Sequence, residues 1–392
     1  MPSIEKRGKN AYRLIIEAGY DSLGNRIKKT KTVKVSTLKE AKAELAKFQI
    51  EFEVGEYISP EKQTFESFVQ EWKTKFVEKN LEAKTVVNYL YHVNKRILPY
   101  FGKLHMNKIK TMHIIDYLEK LHSENRIKGE GTLSSSTIIY NYRVIRSIFS
   151  KAVDWKVIKD NPVKGVTKPK EKSKEMEVYN DEEVRWLIKA LYDETPLLRV
   201  LILLAITTGL RCGELLGLEW KHVDLENGII EVKQSIPMFK NGQPIIKEPK
   251  TKNSIRKVSV PGFVMQELRS FYLQSKNDRD ALDELWAAGA HFFVFSSWNG
   301  KPFYTKTPGD MWRRFIRKHP QMKYIRFHDL RHTSATLLIN QGVHAKIISN
   351  RLGHSNISTT MNVYGHAIQS ADQAAASKFD SFFTEKTVTN TD

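Results

Sequence analysis

Only one cysteine, Cys212, occurs in the 392 residues. That excludes an intrachain disulfide and any zinc site built from several cysteines. No apolar run reaches the roughly 18 residues a membrane-spanning helix needs; the longest, Val200 to Ile206, is a buried-helix signal. The opening Met1-Pro2-Ser3-Ile4-Glu5-Lys6-Arg7 lacks the apolar stretch of a secretory leader. There is no Gly-x-x-x-x-Gly-Lys-Ser/Thr phosphate loop and no His-Glu-x-x-His pair, so ATP-driven and metallohydrolase readings gain no support. Acids are also comparatively few: 44 Asp and Glu face 63 Lys and Arg, a formal charge of +19. Such an excess points to a polyanion, nucleic acid or an anionic membrane surface; a merely basic soluble protein is the plainer alternative. Taken together, these features predict a cytoplasmic protein that meets nucleic acid, with no cofactor, no metal and no membrane partner.

What is present supports folded domains. Apolar residues make up 41% and aromatics 10%, enough for packed cores, and the length predicts two or three of them. Residues 11–20 and 26–35 alternate as two strands around the turn signal Asp21-Ser22-Leu23-Gly24-Asn25. Ser36 or Thr37 then caps a helix running to about Phe52, with Leu38, Ala41, Leu45 and Phe48 on one stripe. The second strand carries Arg26, Lys28, Lys29, Lys31 and Lys34 with no acid among them. It reads either as a ribbon for a DNA major groove or as a solvated edge strand guarded by lysines.

The stretch 55–62 breaks the pattern. Helical periodicity then covers 64–79, 84–100, 111–125 and 134–155, an all-α unit. Thr167 to Lys174 carries Pro169 and alternating charge, and reads as an extended, exposed tether. A third unit opens at Tyr179-Asn180-Asp181-Glu182-Glu183, a helix start with acids in the first turn. Helices follow at 197–207, 262–276, 307–318, 328–341, 343–352 and about 369–383, with strand-like runs at 228–236, 244–249 and 256–260. The expected fold class is multidomain, mainly α with small β-sheets.

Three stretches of the last unit carry candidate chemistry. They are Thr208-Gly209-Leu210-Arg211-Cys212-Gly213-Glu214-Leu215, then His328-Asp329-Leu330-Arg331-His332-Thr333, then Leu352-Gly353-His354 with Tyr364 ten residues on. Each residue by itself is more often structural than catalytic. Arg, His-x-x-Arg, His and Tyr in this order and spacing form a far stronger signal. In these residues the sequence resembles the tyrosine recombinase, or phage integrase, family, and looks most like the integrases of prophages and conjugative elements of Gram-positive bacteria.

The resemblance implies an enzyme that cuts and rejoins DNA through a 3′-phosphotyrosine link. It implies a three-stranded arm-binding domain over 1–57, a helical core-binding domain over 58–168, a catalytic domain over 175–385 and a tail over 386–392. Tyr364 matches the nucleophile. A phenol attacks poorly unless its proton is removed or its anion stabilised. Arg211 and Arg331 match the pair that grips the scissile phosphate, for which the rigid, always-charged guanidinium fork is suited. His328 and His354 match the family histidines, which donate to the phosphate or assist proton removal. Glu214 stands where the family places an acid that buttresses the first arginine.

Lys250, in Pro249-Lys250-Thr251, matches the general-acid lysine, with Asn253-Ser254-Ile255-Arg256-Lys257-Val258 as the continuing strand. Lys252, on the same side of such a strand, stays a rival. His332 reads as local packing, His366 as surface and Cys212 as a small buried hydrophobe. Tyr304 and Tyr324 are not in matching positions. The interval from His354 to Tyr364 is ten, where many family members have nine.

The implied partners are double-stranded DNA at core and arm-type attachment sites and a homotetramer on that DNA. An excisionase or a host DNA-bending protein would be accessory. Ala371, Ala374, Ala375, Phe379, Phe382 and Phe383 make one apolar helical face, which either packs on its own domain or exchanges with a neighbouring protomer. Two other classes stay open at this point: a type IB topoisomerase, and a helical DNA-binding regulator without catalysis.

Overall fold

The structure is a computed structural model, and it describes residues 2–20, 26–53, 63–126, 130–171, 176–248, 255–354, 357 and 379. The chain divides into two compact units, Met1–Ser173 and Lys174–Asp392. The division falls at the end of the charged tether seen in the sequence.

The first unit contains two separate apolar cores. Strands Ser3–Gly8, Ala11–Tyr20 and Arg26–Lys34 form an antiparallel sheet in chain order. Alternation sends Tyr12, Leu14 and Ile16 to one face, where Leu14 and Ile16 meet Phe48 of helix Leu38–Glu53. Among the described strands the basic strand pairs only with Ala11–Tyr20 and forms the edge of the sheet. Lys31 stands opposite Leu14 and lays its ammonium 5.7 Å from the Phe48 ring. A lysine stem can cover apolar surface in this way while its head stays hydrated.

The second core is all-helical. Thr64 caps helix Phe65–Trp72 by accepting the Ser67 N–H, and Ser134 caps helix Ser135–Asp154 by accepting that of Thr137. Phe65, Trp72, Ile97, Phe101, Ile145 and Phe149 are fully buried between them. Two of the helical runs widen into π-turns, at Lys73–Val77 and Val93–Ile97. In the interior, Tyr117 donates to Asn141 Oδ1 at 3.0 Å, so neither polar group is left unsatisfied.

The second unit is built around helix Pro196–Thr208, buried almost throughout from Leu198 to Thr208. Asn180 and Glu183 close a reciprocal capping box at the start of helix Asp181–Leu191. Strands Val223–Asp224, Ile229–Val232 and Arg256–Ser259 form a small antiparallel sheet. Strands Ser235–Lys240 and Gln243–Lys247 make a separate hairpin. Its turn, Asn241-Gly242, has positive φ at both residues, as a tight two-residue hairpin requires. Helices Gly262–Leu282, Thr307–Lys318, Asp329–Asn340 and Ala345–Leu352 complete the described part.

Two differences from the sequence reading stand out. The run 228–236 is not one strand: it breaks at Lys233-Gln234, and its two halves join different sheets. At the break the Gln234 amide donates to Gly217 O at 2.8 Å and Glu219 Oε1 at 2.7 Å. The helix read over 262–276 continues to Leu282, where Arg279 lies over the rings of Trp286 and Phe292. The helix read at about 369–383 lies outside the described residues apart from Phe379, which is exposed. No described helix is long and apolar enough to cross a membrane.

Candidate active site

The site forms around the C-terminal end of helix Ala345–Leu352. A helix end leaves its last carbonyls without intrahelical partners and carries the negative end of the helix dipole. Gly353, with φ 67°, turns the chain out of the helix. Three consecutive carbonyls at this end each accept from a different arginine. Arg256 Nε donates to Arg351 O at 2.7 Å, Arg331 Nη2 to Leu352 O at 2.8 Å, and Arg211 Nη2 to Gly353 O at 3.0 Å. Carbonyl oxygens orient a guanidinium without cancelling its charge.

Each arginine is delivered by a defined local structure. Helix Pro196–Thr208 ends at Gly209, whose φ of 64° reverses the chain. A Cβ there would lie 2.4 Å from Leu352 Cδ2, so position 209 needs glycine for its dihedral and for space. Arg211 then caps helix Cys212–Leu216. Its backbone N–H donates to Glu214 Oε2 at 2.9 Å and its Nη1 to Glu214 Oε1 at 2.8 Å. The Arg211 side chain remains 39% exposed. Arg331, in the first turn of helix Asp329–Asn340, is 3% exposed and also donates to Gly209 O at 2.6 Å. Arg351 turns back to donate to Thr207 O at 2.7 Å and Ser259 O at 2.9 Å.

Glu214 sits among these cations. Burial pushes its pKa up, but hydrogen bonding and charge from Arg256, and then from Arg211, outweigh burial and hold it below the usual value. Of the four guanidinium groups at this turn, Arg256 and Arg211 bond Glu214, while Arg331 and Arg351 bond backbone carbonyls. Arg331 and Arg256 are buried, and Arg211 is open to the surface.

Three of the described histidines lie beside these arginines. His328 precedes the first turn of its helix and is exposed, while His332, one turn later, presents its ring edge-on at 5.3 Å. Desolvation by the surrounding protein, then the charge of Arg331, lowers the pKa of His328. Desolvation followed by His328 brings His332 to about 4. Desolvation followed by Arg331 and Arg211 brings His354 to about 4 as well. At neutral pH these rings are neutral, each able to donate one N–H and accept at the other nitrogen.

The structure therefore brings together Arg211, His328, Arg331 and His354 of the residues singled out in the sequence. Lys250, its rival Lys252, and Tyr364 lie outside the described residues, as does His366. Glu214 buttresses Arg211 as expected. Cys212 is half-buried and packs against the core. Sequence reasoning gave Arg256 no role. Its signal was register: it shares the inward face of its strand with Val258 and Val260, and an arginine there demands a buried partner.

Residues 177–370 match the profile of the phage integrase family, and residues 64–122 that of its N-terminal SAM-like domain. The ICEBs1 integrase of Bacillus subtilis (strain 168) is 30% identical over 385 residues, covering 96% of this chain and 99% of the relative. The chain belongs to the phage integrase family. It is a tyrosine site-specific recombinase of the kind that mobile elements carry. A XerC-like tyrosine recombinase of Caldanaerobacter subterraneus is 29% identical over 395 residues, covering 96% of this chain and 98% of its own.

The fold of this recombinase is also that of solved integrases. The Tn1549 transposon integrase, in complex with a circular intermediate DNA, aligns with a TM-score of 0.67 at 21% identity, covering 81% of this chain and 99% of that one. The lambda integrase tetramer bound to a Holliday junction aligns at 0.55 and 19% identity, covering 92% and 94%. The sequence relatives, an integrase and a XerC-like tyrosine recombinase, set aside the topoisomerase and non-catalytic regulator readings.

Proposed function

We propose that this recombinase cuts and rejoins DNA at the arginine-lined turn around Gly353, with Tyr364 as nucleophile. The observation that carries the reading is the convergence of Arg211, Arg331 and His354 on one helix end, with the Arg211 guanidinium open to the surface. A phosphodiester offers the negative charge that such a cluster binds. Arg211, the more open arginine, meets the non-bridging oxygens directly, and Arg331 adds charge from behind. His328 and His354 donate N–H groups to the same phosphate.

In the reaction the Tyr364 oxygen bonds to phosphorus and the bond from phosphorus to the 5′-oxygen breaks. The phenol proton passes to one of the neutral imidazoles, and the departing 5′-oxygen takes a proton from a lysine, Lys250 in preference to Lys252. The product is a 3′-phosphotyrosine, and attack by another strand's 5′-hydroxyl reverses the chemistry. Preorganised cations stabilise the charge that builds on the phosphate, and the covalent link conserves the bond energy.

The same proposal covers the rest of the chain. Residues 1–57 engage arm-type sites, 58–168 grip the core site, and the catalytic unit over 175–385 acts within a homotetramer assembled on the DNA. The apolar tail from Ala371 to Phe383 helps that assembly. An excisionase or a host DNA-bending protein sets direction, and the setting is the cytoplasm. Support for DNA and for tetramers comes from the DNA complexes and the tetramer of the solved integrases.

A DNA substrate nicked beside its cleavage point traps the intermediate, because the short released strand diffuses away. Wild-type protein is expected to form a covalent adduct on such DNA. Tyr364→Phe is expected to bind the DNA with affinity within about threefold and form none. An adduct that survives the substitution refutes the assignment.

A further inference from the structure

The sequence offered Arg256 only as part of a strand, yet the structure places it at the centre of the cationic cluster. We propose that Arg256 is a positioning residue for strand cleavage: by neutralising Glu214 it leaves the charge of Arg211 available to the scissile phosphate. The inference rests on the functional reading above.

Burial separates Arg256 and Glu214 from Arg211. The side chains of Arg256 and Glu214 are each 6% exposed, whereas that of Arg211 is 39% exposed. Arg256 contacts both carboxylate oxygens, Nη1 to Oε1 at 3.2 Å and Nη2 to Oε2 at 2.8 Å. Such two-pronged contact is the strong form of the pair. Arg211 reaches the carboxylate with a single guanidinium nitrogen and its backbone N–H. Glu214 thus faces two cations in a site where water screens little.

Without Arg256 the whole charge of Glu214 would act on Arg211, 2.8 Å away. A carboxylate that close both lowers the local potential and holds the guanidinium to itself. A DNA phosphate would then have to compete with a buried anion. With Arg256 present, Glu214 orients Arg211 and the phosphate meets a net cation.

A second set of contacts acts on the turn itself. The Nε of Arg256 holds Arg351 O, next to the carbonyls that Arg331 and Arg211 hold. A Cβ on Gly353 would come within 2.8 Å of Arg256 Nη1, so the backbone leading to His354 lies directly against this guanidinium. One side chain therefore sets the charge on Arg211 and the seat of His354.

A purely structural role for Arg256 makes a different prediction, and a compensating substitution separates the two. Single-turnover adduct formation on nicked DNA is measured alongside DNA affinity and thermal melting. Arg256→Met is expected to slow adduct formation about 100-fold, the scale of losing one oriented stabilising group, with DNA affinity within about threefold. Arg256→Lys keeps the charge without the fork and is expected to stay within about tenfold of wild type on that same principle. Adding Glu214→Gln to Arg256→Met removes the carboxylate that cancels Arg211, and about tenfold of the rate should return, a coupling that a cycle of variants reads directly.

Were Arg256 merely structural, the second lesion would leave the rate where it was or lower it further, and that result overturns the proposal. So does a folded Arg256→Met protein that cleaves at the wild-type rate. If Arg256→Met does not fold, Arg256→Gln, which also removes the charge, is compared with Arg256→Gln/Glu214→Gln: a faster double variant supports the proposal and an equal or slower one overturns it. An absent adduct with wild-type protein brings down the functional reading and this inference together, whereas a normal wild-type adduct with no compensation brings down this inference alone.

Discussion

Gly209 shows how one residue fixes the site. Its φ of 64° costs a side-chain-bearing residue about 1–2 kcal/mol, and the space a Cβ would need is filled by the fully buried Leu352. Gly209→Ala is expected to destabilise the second unit by about 1–3 kcal/mol in denaturant unfolding; a change near zero would show that the turn relaxes freely. His332 and His354 contribute to the pH response. Each is lowered from 6.5 to about 4, so between those values the unfolded chain binds more protons than the native one. Stability from these residues is therefore present above about pH 6.5 and lost as pH falls toward 4. Melting temperature should hold near pH 7, decline below 6.5, and decline less steeply in His332→Gln. A profile with equal slopes in both proteins would contradict this. A bound phosphate favours the charged imidazole, so DNA binding near pH 6 should take up protons, visible as a buffer-dependent heat.

At the scale of elements, the docking of helix Ala345–Leu352 onto helix Asp329–Asn340 carries the site. Ile348 and Leu352 pack on Ala335 and Ile339, all buried. Leu352→Ala is expected to cost about 2–4 kcal/mol as a cavity and, because the arginines hold this same helix end, to slow adduct formation as well. Full cleavage activity in a destabilised but folded variant would detach the packing from the chemistry. Elements with strong periodicity were legible in the sequence: 307–318 matches its helix at both ends, and the helical runs of the first unit match to within a few residues. What escaped reading depends on contacts made across the fold. The split of 228–236 follows from Gln234 bonding Gly217 and Glu219, and the extra turns to Leu282 follow from Arg279 covering two rings. The π-turns leave no mark in apolar spacing. Motif order picked out Arg211, Glu214, His328, Arg331 and His354, candidate residues that the fold brings together. Arg256 was not among them, since its partner Glu214 lies 42 residues away.

Across the whole molecule the charge of +19 is the governing property. If DNA is the partner, affinity comes mainly from phosphate contacts and falls by about 10³-fold or more between roughly 50 and 200 mM salt. A nearly flat salt dependence would say that the basic surface is not the binding surface. The proposed chemistry makes a covalent bond between protein and DNA, and the decisive measurement is the chemical location of that bond. The trapped adduct is digested with nuclease and protease, and the nucleotide-bearing peptide is sequenced by mass spectrometry. The nucleotide is expected on Tyr364. A nucleotide on Tyr304 or Tyr324, which are exposed in the same unit, or on any residue other than Tyr364, would contradict it.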